Sequence, residues 1–352
     1  MATLASNNLT LADWAKRQDP DGKSAIVVDL LSQSNEWLMD MQWLECNQAT
    51  SHKTTIRTGL PQGTWRQLYQ GVQPTKSTTA QIVEATGNLE AYSMIDKDLA
   101  DLNGNTAEFR LQEDSAFFEG MGQQFSSALA YSNSLATPAQ IMGFGPRYNT
   151  LSTATASSAN VIDAGGTGSD NTSIWFIGWG PNTIHGIFPK GKPAGLQHKD
   201  LGEWTQTNSD GSKYQVYQSH FKWECGLCVR DWRYAVRIAN IDVSDLNTTS
   251  TANLAKLLVV AANKFPTVPA NLGAVQMADK PSGVVGGAKF AVYCNRTVRT
   301  ALETQLLDKP GLFGNTQIKL DMEQWGGMPV LSFRGVPIRT VDSILNNETR
   351  VV

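Results

Sequence analysis

The stretch that most restricts the fold spans residues 105–131, NTAEFRLQEDSAFFEGMGQQFSSALAY. It opens with a capping box, in which the Asn105 side chain can accept the backbone N–H of Glu108 while Glu108 reaches back to that of Asn105. Glu108, Glu113 and Asp114 crowd the first turns, where the helix dipole favours negative charge. Leu111, Phe118, Met121, Phe125 and Leu129 share one helical face. At about 1.5 Å per residue this is a rod of about 40 Å. Gly120 and Gly122 weaken its middle, each by roughly 1 kcal/mol relative to alanine. A rod of that length with one apolar stripe must lie along something extended.

At 352 residues the chain is long enough for about two domains with a real core. Charged residues are only 17%, against roughly 25% in a typical soluble chain. Much of the surface is therefore expected to face other protein. A net charge of −3 argues against a dedicated nucleic-acid binder. No run reaches the ~18 apolar residues of a membrane span. The N-terminal residues lack the basic-then-apolar order of a secretory signal, and the four cysteines (Cys46, Cys225, Cys228, Cys294) are too few for a disulfide scaffold. A chain made in the cytoplasm is the expectation.

Residues 1–25 read as a polar arm. Residues 26–46 give a helical pattern through Leu30, Leu31, Ser34, Trp37, Leu38, Met41 and Glu45, with Trp37 and Trp43 too large for so short a segment to bury alone. Residues 51–57 and 78–86 are β-rich limbs, and the Gly- and Pro-punctuated tip between them carries Trp65, Arg66, Leu68, Tyr69, Val72 and Lys76. Limbs of about 12 residues at ~3.3 Å each reach roughly 40 Å. A two-stranded ribbon that long is not stable in isolation, so a partner must support it. Residues 89–99 return as a strand.

Residues 137–170 read as loop, followed by strands over 173–180 and 184–189 and a polar turn at 207–214. From Cys228 to Asn240 the residues alternate, which predicts a half-buried strand with Trp232, Tyr234, Val236 and Ile238 inward and Asp231, Arg233, Ala235 and Arg237 outward. Helices are expected over 250–263 and after Asn295, the second stopped at 309–311. Residues 328–345 give two strands around Gly335, and the polar tail 346–352 is expected at the surface.

Catalytic constellations are weak. Cys225 and Cys228, with His220 upstream, suggest zinc or redox chemistry, but a second CxxC is missing. Such a pair leads into a strand, where residues three apart face opposite sides. Cys46, Cys294 or a distant histidine would have to complete a zinc set, so two ordinary semi-buried cysteines are the simpler reading. GGTG (165–168) and GVVGG (283–287) lack the context of phosphate-binding loops and read as turns. No enzyme, cofactor or metal is expected.

The order of arm, ribbon, long helix, two-helix α/β region and closing strands resembles the major capsid proteins of tailed double-stranded DNA bacteriophages. The wording is similar too: SQSNEWL (32–38), HKTTIRTGLP (52–61), TWRQLYQGVQPTKSTTAQ (64–81), DKDLADLNGN (96–105), VIDAGGTGSDNTSIW (161–175), GIFPKGKPAGLQHKDLGE (186–203) and GLCVRDWRYAVRIANIDVS (226–244). The resemblance implies an α+β, Hong Kong 97-like capsid fold. Its parts would be an N-terminal arm over 1–47, an E-loop β-ribbon over 48–95 and a spine helix of the peripheral domain over 96–135. A strand-rich peripheral region with an inserted lobe would follow over 136–250, the axial domain over 251–330, and C-terminal strands and tail over 331–352. It also implies a shell subunit assembling into hexamers and pentamers of an icosahedral head in the bacterial host cytoplasm. Portal, scaffolding and cement or decoration proteins would be partners, and packaged DNA would be contacted non-specifically. An encapsulin-like compartment is the alternative. Trp37, Arg57, Trp65, Arg66, Tyr69, Lys76 and Glu84 are the candidate inter-subunit contacts.

Overall fold

The computed structural model describes residues 9, 32–152, 157–246, 253–266, 284–285, 288–308, 323–325 and 328–352. The rest of the expected arm, the 26–31 part of the second helical pattern, most of GVVGG and the helix stop at 309–311 lie outside them. In chain order the first elements are α1 (Trp37–Asp40), β1 (Trp43–Glu45), β2 (Ser51–Gly59), β3 (Thr78–Ala85), β4 (Gly87–Asp96), α2 (Lys97–Ala100) and α3 (Thr106–Tyr131). Next come β5 (Val161–Asp163), β6 (Asn171–Trp179), β7 (Ile184–Phe188), β8 (Gln197–Thr207), β9 (Lys213–Val229) and β10 (Ala235–Asp242). The remainder is α4 (Leu254–Lys264), β11 (Val284–Val285), β12 (Ala288–Cys294), α5 (Arg296–Asp308), β13 (Glu323–Trp325), β14 (Met328–Val330), β15 (Ser332–Phe333) and β16 (Val336–Thr340). No helix among the described residues is long and apolar enough to cross a membrane. The chain divides into two compact units, one of residues 1–33, 87–126 and 194–225, the other of 34–86, 127–193 and 226–352.

In the first unit β9 is the middle strand, antiparallel to β4 from Gly87↔Cys225 to Asp96↔Val216 and to β8 from Gln197↔Lys222 to Thr207↔Lys213. The polar turn at 207–214 is the β8–β9 hairpin, closed by the Asn208 N–H donating to the Ser212 carbonyl. The long helix forms as expected, starting just after Asn105, whose carbonyl accepts the Phe109 N–H at 3.0 Å. Met121, Phe125 and Leu129 of the expected stripe are buried and Phe118, though partly exposed, meets Phe221 edge-on with centroids 5.3 Å apart; Leu111 departs from the stripe and is exposed, while Phe117 stacks on Phe221 with centroids 5.2 Å apart. Positions 117, 121 and 125 recur every four residues, so the face that meets aromatic side chains of β9 is rotated away from Leu111.

In the second unit β6 runs between two antiparallel neighbours, β12 and β10, and all nine of its residues are buried. From Ile174 to Trp179 the strand is an unbroken non-polar run, as coverage on both faces demands, while Asn171, Thr172 and Ser173 at its start are buried polar residues. β16 pairs parallel with β12, β5 parallel with β10, and β1 parallel with β7. The last residues of β9 pair antiparallel with β7. β15 and β16 form the hairpin expected at Gly335, turning through Arg334 and Gly335, both with positive φ. Leu254, Leu258 and Ala261 of α4 and Val298, Ala301 and Leu302 of α5 bury one face of each helix among Ile174, Phe176, Val236, Ile238 and Val292. Asn253 and Asn295 cap these helices through the N–H groups of Lys256 and Thr297, each at 3.0 Å.

Three expectations fail here. The helix expected over 26–46 is, among described residues, only the four of α1, and β1 follows it. The strand expected from Cys228 to Asn240 is broken: β9 ends at Val229, a 3₁₀ turn covers Trp232–Tyr234, and the Asp231 side chain accepts the Arg233 N–H to set that turn. β10 is then buried on both faces, so Ala235 and Arg237 point into protein rather than outward. The tail does not lie wholly on the surface, because Glu348 and Val351 are buried.

Candidate assembly surface

β2 and β3 pair antiparallel from Ser51↔Ala85 to Gly59↔Thr78, with a bulge between Arg57 and Gly59. Their alternating Thr, Ile and Val residues favour a pleated ribbon over a helix. Every residue from 60 to 81 is exposed. Leu60, Trp65, Leu68, Tyr69 and Val72 form an apolar series there, Trp65 and Tyr69 being as open as in an extended chain, at 101% and 104%. Tyr69 has a φ of 67°, a turn conformation uncommon for a side-chain-bearing residue. Arg57, Arg66 and Lys76 are exposed on the same ribbon and tip.

The ribbon is held at its root. Arg147 donates to both carboxylate oxygens of Glu84, at 2.6 and 2.7 Å, and also to the carbonyls of Gly143 and Met142. At the foot of β2, Asn47 closes a two-way pair with the Lys53 backbone, accepting its N–H at 2.8 Å and donating to its carbonyl at 2.6 Å. Arg147 is placed by the segment behind the spine helix. The Gly143 N–H bonds the Ser132 carbonyl, and the Phe144 N–H the Leu129 carbonyl. A Cβ at Gly143 would come within 2.6 Å of the Ala128 carbonyl oxygen, so only glycine allows this approach.

Two of the seven contact candidates belong elsewhere. Trp37 is fully buried in its own subunit, 6.1 Å from the Tyr293 ring and 6.5 Å from that of Phe144. Its neighbours come from distant segments, which is why a short helix looked unable to cover it. Glu84 is likewise consumed by Arg147. Arg57, Trp65, Arg66, Tyr69 and Lys76 remain on the exposed ribbon.

The Cys225, Cys228 and His220 set does not converge. His220 stacks on Tyr92 with centroids 4.4 Å apart, and Cys225 is buried in the first unit, where desolvation pushes its thiol far above the usual range. Cys228 belongs to the second unit.

The family model of major capsid protein GP7 matches residues 19–352. The chain belongs to that family. A structure of bacteriophage epsilon15 is similar to this capsid protein over 100% of the chain and 99% of its own, at 33% identity and a TM-score of 0.77. No curated protein sequence matches. A gene transfer agent capsid (11% identity, TM-score 0.45, 67% of this chain and 99% of its own) and an encapsulin of Synechococcus elongatus (11%, 0.43, 66% and 96%) are too distant to support any inference. The capsid protein therefore has the Hong Kong 97-like fold and is a subunit of a phage head shell.

One further device of the capsid protein was hidden in its sequence. Arg237, expected to face a neighbour, is buried: its Nη2 donates to Glu348 Oε2 at 2.8 Å, its Nε to Ser173 Oγ at 3.0 Å and its Nη1 to the Tyr148 carbonyl at 2.9 Å. Its guanidinium also lies 5.2 Å from the centre of the Trp175 ring. Ser173 Oγ donates to Glu348 Oε2, and Tyr131 donates to Oε1 at 2.6 Å. Burial beside this carboxylate pushes the Tyr131 hydroxyl well above its usual range, so it stays a donor. A clean alternation with Arg at one position was the only sequence signal, and it pointed outward.

Proposed function

We propose that the ribbon tip, residues 60–77, is covered in the assembled shell by a neighbouring copy of the capsid protein. The observation that supports this is the full exposure of Trp65 and Tyr69 at the end of a two-stranded ribbon. Such a ribbon is marginal by itself. Fully burying an apolar side chain contributes about 1.5–3 kcal/mol, so a contact with a neighbour supplies what the free ribbon lacks. Arg57, Arg66 and Lys76 steer that contact toward acidic groups.

On this reading the chain has no catalytic step. Copies join as hexamers and pentamers in the bacterial host cytoplasm, with portal, scaffolding and cement proteins as further partners. The net charge of −3 suits a wall that touches packaged DNA without holding it, since a strongly cationic lining would bind the genome by counterion release.

Deleting residues 59–76 tests the reading. The expected result is soluble, folded chain that forms no closed shells by electron microscopy, with the Trp65→Ala/Tyr69→Ala variant impaired in the same direction. Normal shells from the deletion would overturn it.

A further inference from the structure

At the root of the ribbon three side chains with affinity for soft metal ions converge. His52 lies on β2, His185 on β7 and Cys228 on β9, and one ligand atom from each falls within 4.8 Å of the others. His185 and Cys228 are direct cross-strand partners, so their side chains share one face of the sheet. The His52 ring meets that of His185 edge-on, with centroids 5.5 Å apart.

The hydrogen-bond pattern is what distinguishes this cluster from ordinary packing. His185 is fully buried, yet among the described residues neither of its ring nitrogens has a hydrogen-bond partner, and Nδ1 of His52 has none either. Buried polar atoms in native proteins are almost always satisfied, and each exception costs about 1–3 kcal/mol. The Gly180 carbonyl is close enough to His185 to favour its protonation, though short of hydrogen-bond geometry. A backbone carbonyl is a common orienter of the second N–H of a metal-bound histidine.

Burial also disfavours a charged cluster without metal. Desolvation, then the nearby His52, hold His185 down at about 4, and desolvation raises Cys228 to about 12. Both imidazoles are thus neutral, with lone pairs available. Arg230 and Arg147 also act on this cluster and Glu84 faces Cys228, so the surroundings are net cationic. Cys46 shares a buried cluster with Ile187 and Cys228, but β1 pairs Glu45 with Phe188, so Cys46 lies further along the sheet than His185 and outside the group whose ligand atoms are mutually within 4.8 Å.

We propose that His52, His185 and Cys228 form a zinc site, with water in the fourth position, that ties the root of the ribbon to the sheet of the second unit. Nitrogen and thiolate donors select Zn²⁺ over Mg²⁺ or Ca²⁺. Tetrahedral bonds of about 2.0–2.3 Å place ligand atoms ~3.4–3.8 Å apart, so the three ligand atoms, within 4.8 Å of one another, close by on the order of 1 Å on binding. Cys228 gives up its S–H proton to solvent as its sulfur–metal bond forms, and no electron is transferred. The ion would fix β2 opposite the strand that Arg147 already pins through Glu84.

The test uses the full chain, reduced, stripped with a chelator and titrated with Co²⁺ as a spectroscopic stand-in. Expected are saturation near one ion per chain, tetrahedral visible bands, a thiolate-to-cobalt band in the near ultraviolet, and displacement by Zn²⁺. Cys228→Ser removes the thiolate band, while Cys46→Ser and Cys225→Ser leave it intact. His185→Asn weakens Co²⁺ binding by about tenfold or more. A wild-type chain that shows no thiolate band, or a band unchanged in Cys228→Ser, overturns the site. None of these readings depends on shell assembly, so failure of the site and failure of the ribbon contact are separable.

Discussion

Arg147 grips Glu84 through two parallel hydrogen bonds, at 2.6 and 2.7 Å, across 63 residues of sequence. Both side chains are largely buried. Arg147→Met leaves the Glu84 carboxylate without its cation, and removing one partner of a buried pair costs about 3–5 kcal/mol. A lower urea midpoint for the unassembled chain is expected. The Arg147→Met/Glu84→Met double variant should recover most of the loss, because two apolar side chains need no partner.

The same logic applies to Arg237. Glu348→Gln keeps the shape of the side chain but removes the charge that faces Arg237 at 2.8 Å. A destabilisation of about 3–5 kcal/mol in urea unfolding is expected, since the guanidinium stays buried. If the variant unfolds like wild type, the pair contributes nothing and the buried end of the chain is incidental.

Asp114 should behave in the opposite way. Among the described residues its buried Oδ1 has no hydrogen-bond partner, while Oδ2 accepts a 3.2 Å bond from Ser219 Oγ and lies 3.4 Å from His198 Nε2. Desolvation raises its carboxyl above the ordinary range, outweighing the pull of His198. An acid with a raised folded-state value stabilises fully below its unfolded value and loses that contribution as pH rises through the folded one. Asp114→Asn should therefore be as stable as wild type or more so at pH 7, with the advantage shrinking at acid pH. Denaturant midpoints between pH 3 and 7 measure it, and a variant weaker at neutral pH refutes it.

Gly120, inside the long helix, and Gly143, in the segment behind it, play different roles. No atom lies within 4 Å of a Cβ built on Gly120, so Gly120→Ala should stabilise the unassembled chain by about 0.5–1 kcal/mol. Gly143→Ala would drive its Cβ into two backbone carbonyls and should cost at least the ~1–3 kcal/mol of an overpacked site. Thermal unfolding of both variants decides the contrast.

Local order was legible in the residues. Asn105 and the acidic first turns marked the long helix, Asn295 marked the start of α5, and Thr, Ile and Val spelled out the ribbon. These signals work because helix period, strand preference and capping act within a few residues of each other. The contact face of the spine helix was not legible to the same degree. Leu111 fits the stripe by spacing, yet the stacked Phe117 and Phe221 settle which side is covered.

What tertiary structure alone decided are pairings between segments far apart in the chain. Trp37 looked like a residue in need of a neighbouring copy, but Phe144 and Tyr293 cover it. Arg237 looked outward-facing, but Glu348, 111 residues away, holds it inside. Cys228 was read beside Cys225 and His220, three and eight residues away, and instead meets His52 and His185. A side chain's spacing states which way it points along its own element. Whether water or protein waits there depends on where the fold brings the rest of the chain.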